Sequence, residues 1–373
     1  MTILYVGVDV AYASFEGVAW SKRTPRQVER YDNTPSGFRQ FAKRVEALRR
    51  AEGASAIHLI LEPTAGYQAA LVLFAHRRGW RITQVNPLQV RRWAQGAGRR
   101  AKTDVQDALL LAEYGERMQP APQEQTPPEI QELDLLLRRR QDVEDLLQRE
   151  RNRLFTLKKH PHPPASVRQS LERTIQQLEQ ELAQLEEALE AFLKAHPALQ
   201  AQQRRLRSVP GVGARSVLRL LVLLYRFYAL TAAQGTAKQL VAFLGLDPVP
   251  HRSISSVYRP PSISKKGDKS MRTLLYMAAF GGVSGHNPLG HFYRSLIARH
   301  KPKKVALVAA ARKILVWAWG RFFAPLNLSR PLSNLFLESC SPDFHERIYG
   351  ESQLRGLQRF FSPSPGTGRG GRG

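Results

Sequence analysis

ILYVGVDVAYASFEGVAW, residues 3–20, reads as the start of a sheet. Residues 3–10 form an apolar run of strand length, and the only charge in it is Asp9. AYAS supplies a turn, and FEGVAW is the antiparallel strand that returns from it. Next, NTPSGFRQFAKRVEALRR (33–50) offers Thr34 and Ser36 as N-caps, then Phe38, Phe41, Val45 and Leu48 at helical spacing. AIHLIL (56–61) is a buried strand that ends at Glu62. AGYQAALVLFAHRRG (65–79) is a helix stopped by Gly79, WRITQVNP (80–87) a strand stopped by Pro87, and KTDVQDALLLAEYGERM (102–118) a further helix. Strands alternating with helices make residues 1–118 an α/β unit.

The rest of the chain is organised differently. A Pro-rich linker, APQEQTPPEI, leads into the long amphipathic helix 130–159. HPHPPAS breaks it, and a second helix follows with Leu171, Ile175, Leu178, Leu182, Leu185, Leu189 and Phe192 at three- and four-residue steps. That spacing is a heptad seam, which suits either an antiparallel hairpin or an intermolecular coil, so 119–200 reads as linker and coiled-coil helices. Residues 201–330 form a third, mainly helical unit, and 331–373 an extension whose Gly-, Pro-, Ser- and Arg-rich end reads as disordered. VALVAAARKILVWAWGRFF carries Arg312 and Lys313 at its centre and reads as a core helix, with Trp317 and Trp319 as core or subunit contacts.

Charge narrows the function. The formal net charge is +25 over 373 residues, and residues 196–349 hold 23 Lys or Arg against five Asp or Glu. Such an excess points to a polyanion, above all nucleic acid. Cys340 is the sole cysteine, which excludes a disulfide framework and a cysteine zinc site and fits a reducing cytoplasm. The apolar N-terminus has no basic start and contains Asp9 and Glu16, so it does not read as a signal peptide.

In an Arg-rich segment, four acids fall at element ends. Asp9 and Glu62 close strands, while Asp104 and Asp107 open a helix three residues apart and share one of its faces. Strand ends and helix starts can converge at one edge of an α/β sheet. Carboxylates gathered there repel one another unless cations neutralise them, and a pair of Mg²⁺ ions suits hard oxygen ligands and phosphodiester chemistry. Each acid taken singly also has a plain reading, as a turn former or a helix-dipole partner. Arg99, Arg100 and Lys102 would bring phosphate-binding charge beside them.

Two glycine-bearing stretches lie in the basic third unit. In SVPGVGARSVLRLL, Gly211 and Gly213 would let backbone amides approach a phosphate at a helix start. In RSISSVYRPPSISKKGDKSMR (252–272), Ser264, Lys265, Lys266, Lys269 and Arg272 suit a phosphate-gripping loop ahead of a helix. By itself Ser253 reads as a phosphate-contacting serine, because a serine hydroxyl is a poor nucleophile until something activates it.

VGVDVAYASFEGVAW, LEPTAGY, NPLQVRRWA and AKTDVQDALLLAEY, taken in order, resemble the N-terminal domain of the DEDD transposases of the insertion-sequence family IS-one-ten, which includes the Piv-type DNA invertases. LRSVPGVGARSVLRLL, QLVAFLGLDPVPHRSISS and SISKKGDKSMRTLLYMAA resemble the family's C-terminal domain, so the likeness covers roughly residues 3–320. The resemblance implies a RuvC-like, RNase H-type N-terminal domain with Asp9, Glu62, Asp104 and Asp107 as Mg²⁺ ligands. It also implies a catalytic serine five residues after the proline of GLDP, which is Ser253. Further, it implies a structured noncoding bridge RNA that pairs with target and donor DNA, and a homo-oligomer, dimers assembling to a tetramer, in which the serine of one subunit meets the acids of another. The family commonly has glycine after that serine; here Ile254 follows, so Ser255 and Ser256 remain alternatives. A Piv-type invertase, a carboxylate-only nuclease or junction resolvase, and a non-catalytic binding protein are the competing readings.

Overall fold

The computed structural model describes residues 2–20, 27–63, 66–98, 104–252 and 258–323. The chain divides into two compact units, residues 1–127 with 226–234, and residues 128–225 with 235–373.

The first unit is built on a five-stranded sheet. Its elements are β1 (Ile3–Val10), β2 (Ser14–Ala19), β3 (Glu29–Asp32), α1 (Pro35–Ala51), β4 (Ala56–Leu61), α2 (Ala69–Arg77), β5 (Arg81–Gln84), α3 (Pro87–Gly96) and α4 (Asp104–Met118). Strand order is β3-β2-β1-β4-β5, with β1 antiparallel to β2, β2 antiparallel to β3, and β4 parallel to both β1 and β5. A meander followed by two parallel strands is the mixed sheet expected of a RuvC-like domain.

Both faces of β1 are covered, which is why it is apolar without alternation. Leu4, Val6, Val8 and Val10 join Phe38, Phe41 and Val45 of α1 and Leu71 of α2 in one core. Tyr5 lies on the other face with Ile60, Val90, Leu111 and Tyr114, and Val18 packs there against Ala108 and Ala112. Of the two candidate caps, Thr34 is the N-cap of α1, its hydroxyl accepting from the Gly37 amide at 3.3 Å. Gly79 takes φ +72 just past α2, as its place at the stop requires.

Gly7 sets how closely α4 lies on the sheet. A Cβ there would overlap the carbonyl oxygen of Ala108 and the amide nitrogen of Ala112. At the other end of the helix, a Cβ on Gly115 would lie 2.7 Å from Ile60 and 2.8 Å from Tyr5. Contacts therefore shift from Gly7 back to Tyr5 as the helix advances from residue 108 to 115. α4 runs opposite to β1, and its N-terminus sits at the end where β1 and β4 finish.

The second unit contains α5 (Pro128–Leu157), α6 (Ala165–Ala195), α7 (Pro197–Arg207), most of α8 (Ala214–Leu230), α9 (Ala237–Phe243), β6 (Pro248–Arg252), β7 (Tyr258–Ile263), α10 (Lys269–Gly282), α11 (Pro288–Ala298) and α12 (Lys303–Phe323). α5 and α6 pack on each other as an antiparallel hairpin, tied by Arg140–Glu186 at 2.9 Å and Arg151–Glu179 at 2.7 Å. The antiparallel hairpin is one of the two arrangements that the heptads suit. α12 is a core helix, with Ala310, Ile314, Leu315 and Trp319 buried. No described helix is long and apolar enough to cross a membrane.

Candidate active site

Register places the first two acids. β1 and β4 pair in parallel from Ile3 with Ala56 to Val8 with Leu61. One step past that last pair stand Asp9 and Glu62, on neighbouring strands about 5 Å apart. Glu16 of β2 is the antiparallel partner of Asp9. Glu16, Asp9 and Glu62 thus form a row across three adjacent strands. The row lies on the face of Tyr5, Gly7 and Val18, the face that α4 covers.

The helix supplies the other two positions. Asp104 lies four residues before Ala108, about 6 Å toward the helix N-terminus. Asp9 lies two residues past Gly7, about 7 Å along the strand in that same direction. Asp104, Ala108, Ala112 and Gly115 share one stripe of α4, and Asp107, Leu111 and Tyr114 the adjoining one. All four carboxylate positions are therefore at one end and one face of the sheet. Asp104 enters by backbone position alone, since its side chain lies outside the described residues.

Glu16 was not among the residues singled out by sequence. Its Oε2 is buried and has no hydrogen-bond partner. Arg30, cross-strand from Glu16, directs Nε and Nη2 at Ser14 Oγ, at 3.1 and 2.9 Å. A buried carboxylate oxygen without a donor, in a row of acids, fits a hard divalent cation. Among the described residues no three His, Cys, Asp or Glu side chains stand close enough together to hold one already. The signal for Glu16 is its register against Asp9, which the sequence does not print.

On this same face, further down β4, His58 is 2 % exposed, its ring centroid 5.4 Å from that of Tyr5. Thr83 spends its one hydroxyl proton on Ala121 O at 2.9 Å, so at 2.8 Å His58 Nε2–H must be the donor to Thr83 Oγ1. Burial, then the charge of Arg81, lowers the His58 pKa to about 4. The unfolded chain takes up this proton near pH 6.5 and the folded one only near 4. Stability from neutral His58 is therefore full above pH 6.5 and is lost as the pH falls toward 4. Between pH 7 and 5 the loss is about 2 kcal/mol. Urea unfolding of His58→Gln should lack that part of the pH dependence; an identical slope in both proteins would assign it to other groups.

In the second unit, the serine-rich stretch begins as a hairpin. β6 and β7 pair antiparallel, through Pro248 with Ile263 and Arg252 with Tyr258. Ser253, Ile254, Ser255 and Ser256, between them in sequence, lie outside the described residues, as do Arg99, Arg100 and Lys102. GLDP and SISKKG clasp each other. The Ser264 hydroxyl donates to the Asp247 carboxylate, Ser264 N to Asp247 O at 3.0 Å, and Lys265 N to Gly245 O at 3.0 Å. Arg272 donates to Leu244 O at 3.1 Å and Gly267 O at 2.5 Å. Asp268 caps α10 by accepting from Ser270 N and Met271 N. Lys265, Lys266 and Lys269 are exposed, as is Asp268 between them. Gly211, at φ +89, abuts Ala278 and Gly282 of α10, and the Gly213 amide donates to Ser216 Oγ at 3.0 Å.

Two family models match this chain. One, described as a transposase and carrying the DEDD and IS110 labels, matches residues 6–162, and the other, Transposase IS116/IS110/IS902 family, matches residues 203–294. The chain belongs to the IS110 family of transposases. Among relatives of this IS110 transposase, the pilin gene-inverting proteins of Moraxella lacunata and Moraxella bovis are each 27% identical over 332 residues, 89% of this chain and 98% of theirs. The IS110 transposase is accordingly an enzyme of DNA recombination. Its N-terminal match spans Asp9, Glu62, Asp104 and Asp107, and its C-terminal match spans GLDP and Ser253.

Proposed function

We propose that this transposase is an RNA-guided DNA recombinase that cuts and rejoins strands through Ser253, working at a site made by Asp9, Glu62, Asp104 and Asp107. The observation that carries the reading is the meeting of four carboxylate positions at one end of the sheet, on the face covered by α4. These four would hold Mg²⁺, two ions per site, with Glu16 beside them. When bound, the cations would favour the ionised serine hydroxyl and neutralise charge on the phosphate and the leaving oxygen.

The chain's own part is positioning and exchange of one bond for another. Ser253 Oγ attacks the phosphorus, an Oγ–P bond forms, and one P–O bond to deoxyribose breaks. The released sugar oxygen ends as a hydroxyl, and the serine proton goes to solvent. A hydroxyl of the partner strand then attacks the phosphoserine, restores a phosphodiester and frees Ser253, so no ATP is needed. A bridge RNA would choose target and donor DNA, in a tetramer where the serine of one subunit serves the acids of another. Lys265, Lys266 and Lys269, with Arg99, Arg100 and Lys102, would hold phosphates, and the reaction would take place in the cytoplasm.

The test is to combine protein, the transcript flanking its gene, both DNAs and Mg²⁺, then denature and look for a covalent adduct. Wild type should give a serine-linked adduct. Ser253→Ala should give none and should recombine at least about a thousandfold more slowly, with RNA binding unchanged. Mg²⁺-dependent cuts without any adduct would instead favour a carboxylate-only nuclease, and an adduct retained by Ser253→Ala would move the role to Ser255 or Ser256.

Inversion is the second reading, favoured by likeness to the pilin gene-inverting proteins over nearly their whole length. Two sites in opposite orientation on one plasmid would be inverted under that reading; joining of separate molecules alone would exclude it.

A further inference from the structure

Two tyrosines stand at the acidic end of the sheet without a place in either core. Tyr12, in the turn after β1, is 78 % exposed, and Tyr67, ahead of α2, is 42 % exposed. By contrast Tyr5 and Tyr114 are buried. The rings of Tyr12 and Tyr67 meet edge to face, with centroids 5.5 Å apart and planes at 76°.

The pair is held by the backbone. Asn33, just past β3, donates through Nδ2 to Ala11 O at 3.2 Å and Tyr67 O at 3.1 Å, with Tyr12 O at 3.4 Å. Its own amide donates to Ala13 O at 2.9 Å. One residue thus fastens the β1–β2 turn to the segment after β4. The tyrosines are fixed at their main chains while their rings face solvent. That arrangement suits a ring presented to a ligand.

Position and chemistry select the ligand. Tyr12 is three positions after Asp9, a chain length of at most about 11 Å. A DNA strand with its phosphate at Asp9 would carry its neighbouring base to this pair. An aromatic face takes any nucleobase by stacking, but only a base that is out of the duplex has a free face to offer. The chain's net charge of +25 favours the polyanion that brings the base. The geometry points to Tyr12 and Tyr67 as a stacking platform for an unpaired DNA base next to the scissile phosphate, an inference that rests on the proposed recombinase site. Tyr12, the more exposed ring, would offer its face, and the edge-to-face contact fixes the tilt of the two rings against each other.

Binding can be read without catalysis. The full-length protein is titrated in EDTA with a single-stranded oligonucleotide carrying 2-aminopurine, whose fluorescence falls on stacking, and in parallel with a duplex of the same sequence. Tyr12→Ala and Tyr67→Ala should each weaken single-strand binding about tenfold and abolish the quench, while Tyr12→Phe and Tyr67→Phe bind as wild type. Duplex affinity and melting temperature should not move. Alanine variants that bind and quench normally would overturn the platform. So would equal losses on the duplex, or a loss confined to single-stranded RNA of that sequence, which would make the pair a guide-RNA contact. Because the assay needs neither metal nor Ser253, its failure and the failure of the serine adduct assay are separate results.

Discussion

Asp9→Asn should slow DNA strand cleavage and exchange by at least about a thousandfold, the rate equivalent of roughly 4 kcal/mol of lost charge stabilisation. Asp9 is the middle of the row Glu16, Asp9, Glu62, so under the proposed function its carboxylate is the one a cation shared across the row would meet. Asparagine keeps the shape and removes the charge, so the loss is not one of folding. Carboxylates side by side on neighbouring strands repel one another, and a cation bound there stabilises the folded chain by mass action. Mg²⁺ should therefore raise the melting temperature of wild type and leave that of Asp9→Asn nearly unchanged. Nucleic-acid binding in EDTA should be equal in the two. If Asp9→Asn recombined within tenfold of wild type, or melted with the same response to Mg²⁺, the sheet-edge site would be wrong.

Gly7→Ala should be strongly damaging, although it adds a single methyl. The added carbon meets main-chain atoms of Ala108 and Ala112 and lies 3.0 Å from Leu111 Cβ. Backbone cannot rotate out of the way as a side chain can, so α4 must lift from the sheet. Overpacking of this kind costs about 3 kcal/mol. The effect reaches function because α4 carries Asp104 and Asp107, and a shift of about 1 Å between catalytic groups can cost a hundredfold in rate. Urea unfolding should show the stability loss, and recombination by the folded fraction should fall with it. Ala108→Gly is expected to restore little, since the overlap is with the Ala108 carbonyl oxygen and not its methyl. A Gly7→Ala protein as stable as wild type would mean that α4 does not seat as described.

Much of the first unit was legible because its signals are local. Asp9 stands out in an otherwise uncharged strand, Glu62 follows a run of six apolar or buried positions, and Thr34 precedes a helix with a clear apolar face. The elements that were missed lack such signals. β3 is four residues long, polar and at the sheet edge. α3 starts at Pro87, which read as the end of the preceding strand, while Asn86 caps it by accepting from Leu88 N at 2.9 Å. The β6–β7 hairpin contains Pro248, Pro250, Pro260 and Pro261, residues that argue against a strand in a larger sheet and are tolerated where each strand has one partner. SISKKG read as a loop free to grip phosphate, but Ser264 and Arg272 have partners inside the unit, and the lysines are what it presents outward.

Readable from the residues in order are the element types of the α/β unit, the basic character of the chain, the placement of four acids at element ends, and the resemblance that led to the IS110 family. These are properties of a residue and its near neighbours in the chain, and periodicity or local order records them. It takes the folded chain to show that Asp9 stands beside Glu62, that Glu16 completes their row, that α4 points its first turn at them, and that Asn33 draws Tyr12 and Tyr67 together. Each of these depends on strand register or on close packing between segments far apart in sequence. Which segments meet, and in which register, is set by the fit of whole faces to one another, and no single stretch of the chain carries that information.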